Sequence, residues 1–332
     1  MKKKILLVCL SIPLLLLIAP GLVGLFVTPE LRVKPGYERR FLELNGARIG
    51  YVQIGQGPDV LLLHGAMGSV EDWTPLIRAL GDSHRLTILD RPGFVRSTGG
   101  PEHKTLVGNA DVAAAAIHAL ELEQPLLVGH SHGGSIALVF AVRHPRAARG
   151  VLTLDTSGPG AYKPGLNDFV LTLPYAGRGL AILVGALVGP NMIRSNLEQA
   201  LAPRMDAMPP GFVSFRMKLW AHADSLVAFA LANRAAPAEF EIYADRFASL
   251  EIPLSMAYCQ REAQAVGVAV RTAFAEGLAS RAAAVVEKAR ANPAAVSGVR
   301  AVDLLRLRDC NHYVQYTNAA EIAGWIRRLT AP

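Results

Sequence analysis

The residues best suited to do chemistry gather around one serine. Leu126-Leu127-Val128-Gly129-His130-Ser131-His132-Gly133-Gly134-Ser135 runs a short apolar stretch straight into G-x-S-x-G, and an Ala-rich helical pattern follows. In a strand–turn–helix elbow the serine is forced into a sparsely allowed, positive-φ conformation that lifts its hydroxyl above the sheet edge. The turn is so sharp that the positions two before and two after the serine nearly touch. Both must lack a Cβ, and Gly129 and Gly133 meet that need. The first helical turn then presents free backbone N–H groups where an oxyanion would form. Such a serine does acyl-transfer chemistry, provided an adjacent imidazole takes its proton. Nine histidines compete for that role. His130 and His132 flank the serine but point elsewhere, while His84, His103, His118, His144 and His222 fall in helix or loop patterns and default to the surface.

The elements that must position these groups alternate regularly. Phe41–Leu44 and Ala47–Ile54, split by Asn45-Gly46, read as a hairpin with a tight turn. Val60–Leu63, Leu86–Leu89, Leu126–Val128 and Val151–Leu154 are apolar strands too continuous to be half exposed, with helices over Glu71–Leu80 and Thr105–Leu122. Ser157 to about Asp245 carries no strand signal, only helical patterns broken by Pro and Gly. The alternation then resumes with a strand at Ile252–Tyr258, a helix over about Val266–Arg290, a strand at Val302–Leu307 and a helix at Ala319–Leu329. The pattern predicts an α/β fold: a mostly parallel sheet wrapped by helices, opened by an antiparallel hairpin, with a helical cap inserted between two strands. The boundaries are 38–156 and 246–332 for the core and 157–245 for the cap. Ligands of such sheets sit beyond the carboxyl ends of the strands, where His64, Gly65, Ala66, Asp90, Ser131, Asp155, Glu262 and His312 all fall.

The 332 residues can bury one large core. Met1-Lys2-Lys3-Lys4 precedes an uncharged run from Ile5 to Val27 that is long enough to cross a bilayer. Residues 1–27 are therefore expected to be a membrane anchor that leaves the rest of the chain on the non-cytoplasmic side, in the periplasm or outside, with 28–37 as a linker. A cleaved signal segment, giving a secreted protein, is the competing reading. The net charge of +7 comes from scattered basic residues without interleaved aromatics, which argues against nucleic acid as a partner. No H-E-x-x-H, C-x-x-C or G-x-G-x-x-G spacing occurs, so neither metal nor dinucleotide is expected and no cofactor is implied. Cys259 and Cys310 end what should be neighbouring strands, so a disulfide and two free thiols are both open for them. Phe169–Ile193 is strongly apolar apart from Arg178, but its uninterrupted part is too short to span a membrane. It reads either as packing between cap and core or as an acyl pocket or bilayer contact.

His64-Gly65-Ala66-Met67-Gly68, Asp90-Arg91-Pro92-Gly93-Phe94-Val95-Arg96-Ser97, Gly129-His130-Ser131-His132-Gly133-Gly134 and Asn311-His312 together resemble the α/β-hydrolase superfamily of the capped type, over about residues 38–330. The resemblance implies Ser131 as nucleophile, His312 as general base, and the backbone N–H groups of His132 and Ala66 as the oxyanion hole, with Met67 as a substitute for the second. It also implies an acid after the Pro253 strand. The family has Gly-x-x-Asp there, whereas this chain has Cys259 and Glu262. Glu262 is the expected acid, and Asp155, at the end of the preceding strand, is the alternative. The 90–97 loop departs from the family at Val95, where Gly is commoner, and is assigned no chemistry. The resulting expectation is a serine hydrolase acting on a small, apolar or lipid-like carboxylic ester. Other acyl-transfer, carbon–carbon or peracid chemistry at the same groups, or a non-catalytic ligand-binding protein of this fold, are the alternatives.

Overall fold

Asn45 and Gly46 both adopt positive φ, 52° and 85°, the primed turn whose twist suits a two-residue hairpin. It joins β1 (Arg40–Leu44) to β2 (Ala47–Ile54). This computed structural model describes residues 36–187, 189–202, 204–260, 266–291 and 301–331, with residues 19, 22 and 23 of the N-terminal run. In chain order there follow β3 (Asp59–Leu63), α1 (Thr74–Leu80), β4 (Arg85–Leu89), α2 (Leu106–Ala119), β5 (Leu126–His130), α3 (His132–Arg143) and β6 (Gly150–Leu154). Five helices then intervene: α4 (Leu166–Leu171), α5 (Gly177–Leu187), α6 (Gly189–Leu201), α7 (Phe212–Trp220) and α8 (Ala223–Tyr243). The sheet resumes with β7 (Leu254–Cys259), α9 (Val266–Ala291), β8 (Val302–Leu307), α10 (Val314–Thr317) and α11 (Ala319–Thr330).

The eight strands form one sheet in the order β1-β2-β4-β3-β5-β6-β7-β8. The β1–β2 and β2–β4 pairings are antiparallel and all others parallel. Alternate side chains of the central strands feed two cores. Leu61, Leu63 and Leu127 pack with Ala113 of α2, Phe140 of α3 and Leu278 of α9. Leu62, Val128 and Leu152 pack with Leu76 of α1 and Ile322 of α11 on the other face. Strands buried on both faces explain the continuous apolar runs.

One local feature differs from expectation. His84 is buried rather than on the surface, its Nε2 2.9 Å from the Thr330 hydroxyl, because the turn before β4 tucks beneath α11. Among the described residues no helix is long and apolar enough to cross a membrane, and the run expected to do so, residues 1–27, lies outside them but for residues 19, 22 and 23.

Candidate active site

β5 is buried along its whole length and delivers Ser131 at φ 53°, ψ −117°, immediately before α3. The geometry leaves no room at the flanking glycines. A Cβ on Gly129 would stand 2.2 Å from the Gly133 carbonyl oxygen, and one on Gly133 2.2 Å from that of Leu63. The Ser131 amide donates to the Leu154 carbonyl at 2.8 Å, which ties the elbow to β6. Because β6 pairs with β5 in parallel, the residue just after β6, Asp155, emerges beside the serine.

His312 sits in the loop after β8 and engages both neighbours. Its Nε2 lies 2.9 Å from Ser131 Oγ and its Nδ1 2.6 Å from Asp155 Oδ2. An ionised carboxylate can only accept, so Nδ1 carries the proton and Nε2 is left to accept from the serine. Asp155 is buried and its Oδ1 accepts the Cys259 amide at 3.2 Å. Burial would raise its pKa, but the Arg271 charge, the His312 hydrogen bond and the Cys259 amide outweigh that and hold it at about 2. Burial, then the charge of Arg271, push His312 below the ordinary imidazole value despite its hydrogen bond to Asp155. Glu262, the acid expected from the sequence, lies outside the described residues, and Asp155 occupies the Nδ1 partner position.

The histidine loop is pinned from several sides. The His130 ring donates through Nε2 to the His312 carbonyl at 2.8 Å. The His312 amide donates to Ala200 at 3.0 Å, and Asn311 Nδ2 donates to the carbonyls of Leu201 and Arg204, both at 3.1 Å. Cys310 is disulfide-bonded to Cys259, joining the end of β7 to the loop that carries His312.

His132 heads α3, so its amide is one of those without an intrahelical partner. Opposite it, the amides of Ala66 and Met67 find no acceptor among the described residues. The turn that carries them is held from behind. The Gly65 carbonyl accepts from Arg91 Nη2 and from His64 Nδ1, each at 2.8 Å, and the Ala66 carbonyl accepts from Arg216 Nη2 at 3.2 Å. Arg91 is buried, bonded to carbonyls and the Asn109 side chain with the Phe94 ring beneath it, and burial lowers its pKa to about 9. Its guanidinium lies against the His64 and Gly65 carbonyls at the start of that turn. Arg216 reaches from α7 into a buried ion pair with Asp72, both oxygens at 2.9 Å.

Beneath the elbow, Tyr162 OH donates to Ser135 Oγ at 2.9 Å, and Ser135 Oγ donates to the Ser157 carbonyl at 2.6 Å. His132 Nδ1 must then donate to the Tyr162 oxygen, 2.8 Å away, so this ring is engaged and neutral, its pKa pushed well down by burial and the Arg91 charge. His64 is likewise neutral, its Nε2 accepting the Arg91 amide at 3.0 Å. The 90–97 loop keeps its turn by placing Val95 at φ 55°, a left-handed conformation that costs a β-branched residue roughly 1–2 kcal/mol. Ser97 Oγ holds the turn by donating to the Asp90 carbonyl at 2.6 Å. Met67 and Phe94 pack against Leu171, Ala181, Ala223 and Leu226, an apolar contact between the core loops and the inserted helices. Leu183 and Phe169 of the same apolar stretch are exposed instead. Among the described residues no three His, Cys, Asp or Glu side chains converge as a metal site.

The sequence reading missed Arg91, Arg216 and Arg271. Arg91 stood within a motif left without chemistry, whereas nothing local marks Arg216 or Arg271, which act across 144 and 116 residues of chain on Asp72 and Asp155.

The model of the alpha/beta hydrolase fold matches residues 58–240, over half of the chain. Over 125 residues, 36% of this chain and 43% of the relative, the sequence is 32% identical to 2-hydroxy-6-oxo-6-phenylhexa-2,4-dienoate hydrolase of Comamonas testosteroni. It is 26% identical to (E)-2-((N-methylformamido)methylene)succinate hydrolase of Acinetobacter baylyi, over 64% of this chain and 76% of that one. The first curated relatives are matched over less than half of their own length. The structure is similar to that of the enol-lactonase from Burkholderia xenovorans, with a TM-score of 0.64 at 15% identity, covering 88% of this chain and 100% of that one.

Proposed function

The chain belongs to the α/β-hydrolase fold family, and from that premise we propose that it is a serine hydrolase cleaving an apolar carboxylic ester through an acyl-enzyme. The observation that carries this reading is the doubly engaged His312 ring, with Nε2 on Ser131 and Nδ1 on Asp155. Ser131 Oγ attacks the ester carbonyl as His312 Nε2 takes its proton, and Asp155 fixes the tautomer and stabilises the imidazolium. The amides of His132 and Ala66, or of Met67 in its place, receive the oxyanion. Collapse expels the alcohol, which takes the proton from His312. Water then gives a proton to His312 and attacks the acyl carbon, and His312 passes that proton to Ser131 Oγ as the acid is released. The apolar contact of Met67 and Phe94 with the inserted helices favours an apolar acyl group. In this reading residues 157–245 are the cap and 38–156 with 246–332 the core.

Labelling with a fluorophosphonate probe tests the nucleophile. Wild type should label and Ser131→Ala should not. A folded wild type that stays unlabelled would move the reading to a non-catalytic binding protein.

Residues 1–27 complete the proposal as an anchor holding the domain on the non-cytoplasmic side, a setting that the Cys259–Cys310 disulfide suits. The full chain should sediment with membranes through an alkaline carbonate wash and residues 36–332 should not. Equal release of both would discard the anchor.

A further inference from the structure

The acid of the triad has a second cationic neighbour. Arg271 Nε lies 2.8 Å from Asp155 Oδ2, the same oxygen that accepts from His312 Nδ1. Its N–H is not aligned for a hydrogen bond with that oxygen, so the contact is an ion pair. The side chain is only 17% exposed and therefore weakly screened.

Its placement is built into the fold. Arg271, Phe274, Ala275 and Leu278 share one face of α9. Ala275 and Leu278 are buried in the core, and Phe274 packs so closely on the loop after β6 that a Cβ on Gly158 would stand 2.5 Å from its ring. Tyr258 OH, 2.8 Å from Glu276 Oε1, fastens the next turn of α9 to β7.

A carboxylate shared in this way serves two cations. Hydrolysis requires His312 to be neutral before it takes the serine proton. Arg271 partly neutralises the charge that would otherwise favour the imidazolium, and it repels that imidazolium directly. The other charged and titratable groups around His312 do not replace it. His130, from the end of β5, is buried and neutral, Tyr313 is a buried phenol, and Arg216 from α7 is already paired with Asp72.

We propose that Arg271 is a positioning residue that locks Asp155 in its ionised form and keeps His312 available as a base in mildly acidic surroundings. The inference rests on the serine-hydrolase reading above and names how that site is tuned. Its signature is a change of sign with pH. The second-order rate of fluorophosphonate labelling should fall at least fivefold in Arg271→Met at pH 5 and stay equal to wild type, or exceed it, at pH 8. Arg271→Gln, which keeps the length and polarity, should behave as Arg271→Met does, and Arg271→Lys should keep the wild-type acid limb. A loss by the same factor at every pH would make Arg271 merely structural and overturn the proposal, as would an unchanged profile.

One measurement needs no variant. The hydrogen-bonded Nδ1 proton of His312, followed by NMR in wild type, should titrate below the ordinary imidazole value of about 6.5. Titration at or above that value overturns the proposal. Wild type that never labels would remove the hydrolase reading itself, whereas Ser131-dependent labelling with parallel pH profiles would remove only the role of Arg271.

Discussion

At the scale of single residues, the arrangement depends on which carboxylate meets His312. Asp155 follows β6 with a positive φ of 43°, a conformation that Asp tolerates better than most side chains and that turns its carboxylate toward the β7 and β8 ends. Both of its oxygens are used, one by the Cys259 amide and one by His312 and Arg271. If this carboxylate orients the base, Asp155→Asn should lower kcat on a p-nitrophenyl ester by roughly 10³–10⁴-fold, because an amide favours the wrong tautomer. Glu262→Gln should leave kcat near wild type. The opposite ranking would return the acid role to Glu262.

The elements act as braces for these residues. The elbow between β5 and α3 is fixed by backbone contact at Gly129 and Gly133, so its geometry depends little on side-chain packing. Asp155 and His312, in contrast, lie on loops, and the Cys259–Cys310 disulfide ties the His312 loop to the end of β7. Cys259 also supplies the amide that Asp155 accepts, and Cys310 lies two residues before His312. Closing 51 residues of chain should contribute about 4 kcal/mol by restricting the unfolded state. The double variant Cys259→Ala with Cys310→Ala should therefore melt well below wild type in a thermal scan. It should also show a lower kcat at temperatures where it remains folded. A melting temperature unaffected by either the substitutions or added reductant would show that the bridge braces nothing.

Across the whole molecule, polar contacts couple the inserted helices to the site. Ala200, Leu201 and Arg204, around the end of α6, accept the backbone and side-chain donors of Asn311 and His312. Arg216 of α7 joins buried Asp72 to the Ala66 carbonyl of the proposed oxyanion turn. Removing one partner of a buried pair strands the other charge, so Arg216→Met should cost about 3–5 kcal/mol in urea unfolding. Combining it with Asp72→Leu should recover most of that loss. Additive losses in the double variant would mean that the two side chains act independently. The substitution at Arg216 should also slow acylation, because the Ala66 turn loses one of its supports.

The sequence by itself determined what depends on neighbours along the chain. The strand and helix order was readable because strands buried on both faces leave continuous apolar runs, and a hairpin turn leaves Asn-Gly. The elbow was readable because its steric demand falls on residues two positions from Ser131. Tertiary structure decided what depends on elements meeting across the sheet. Whether the acid comes from the end of β6 or the end of β7 is set by how their loops turn towards His312, and both ends carry a carboxylate in the sequence. The sequence left the pairing of Cys259 with Cys310 open, because it depends on the register of β7 against β8. Arg216 and Arg271 were invisible for the same reason. A guanidinium reaches a carboxylate or carbonyl through space, and the chain separating the partners carries no trace of that contact.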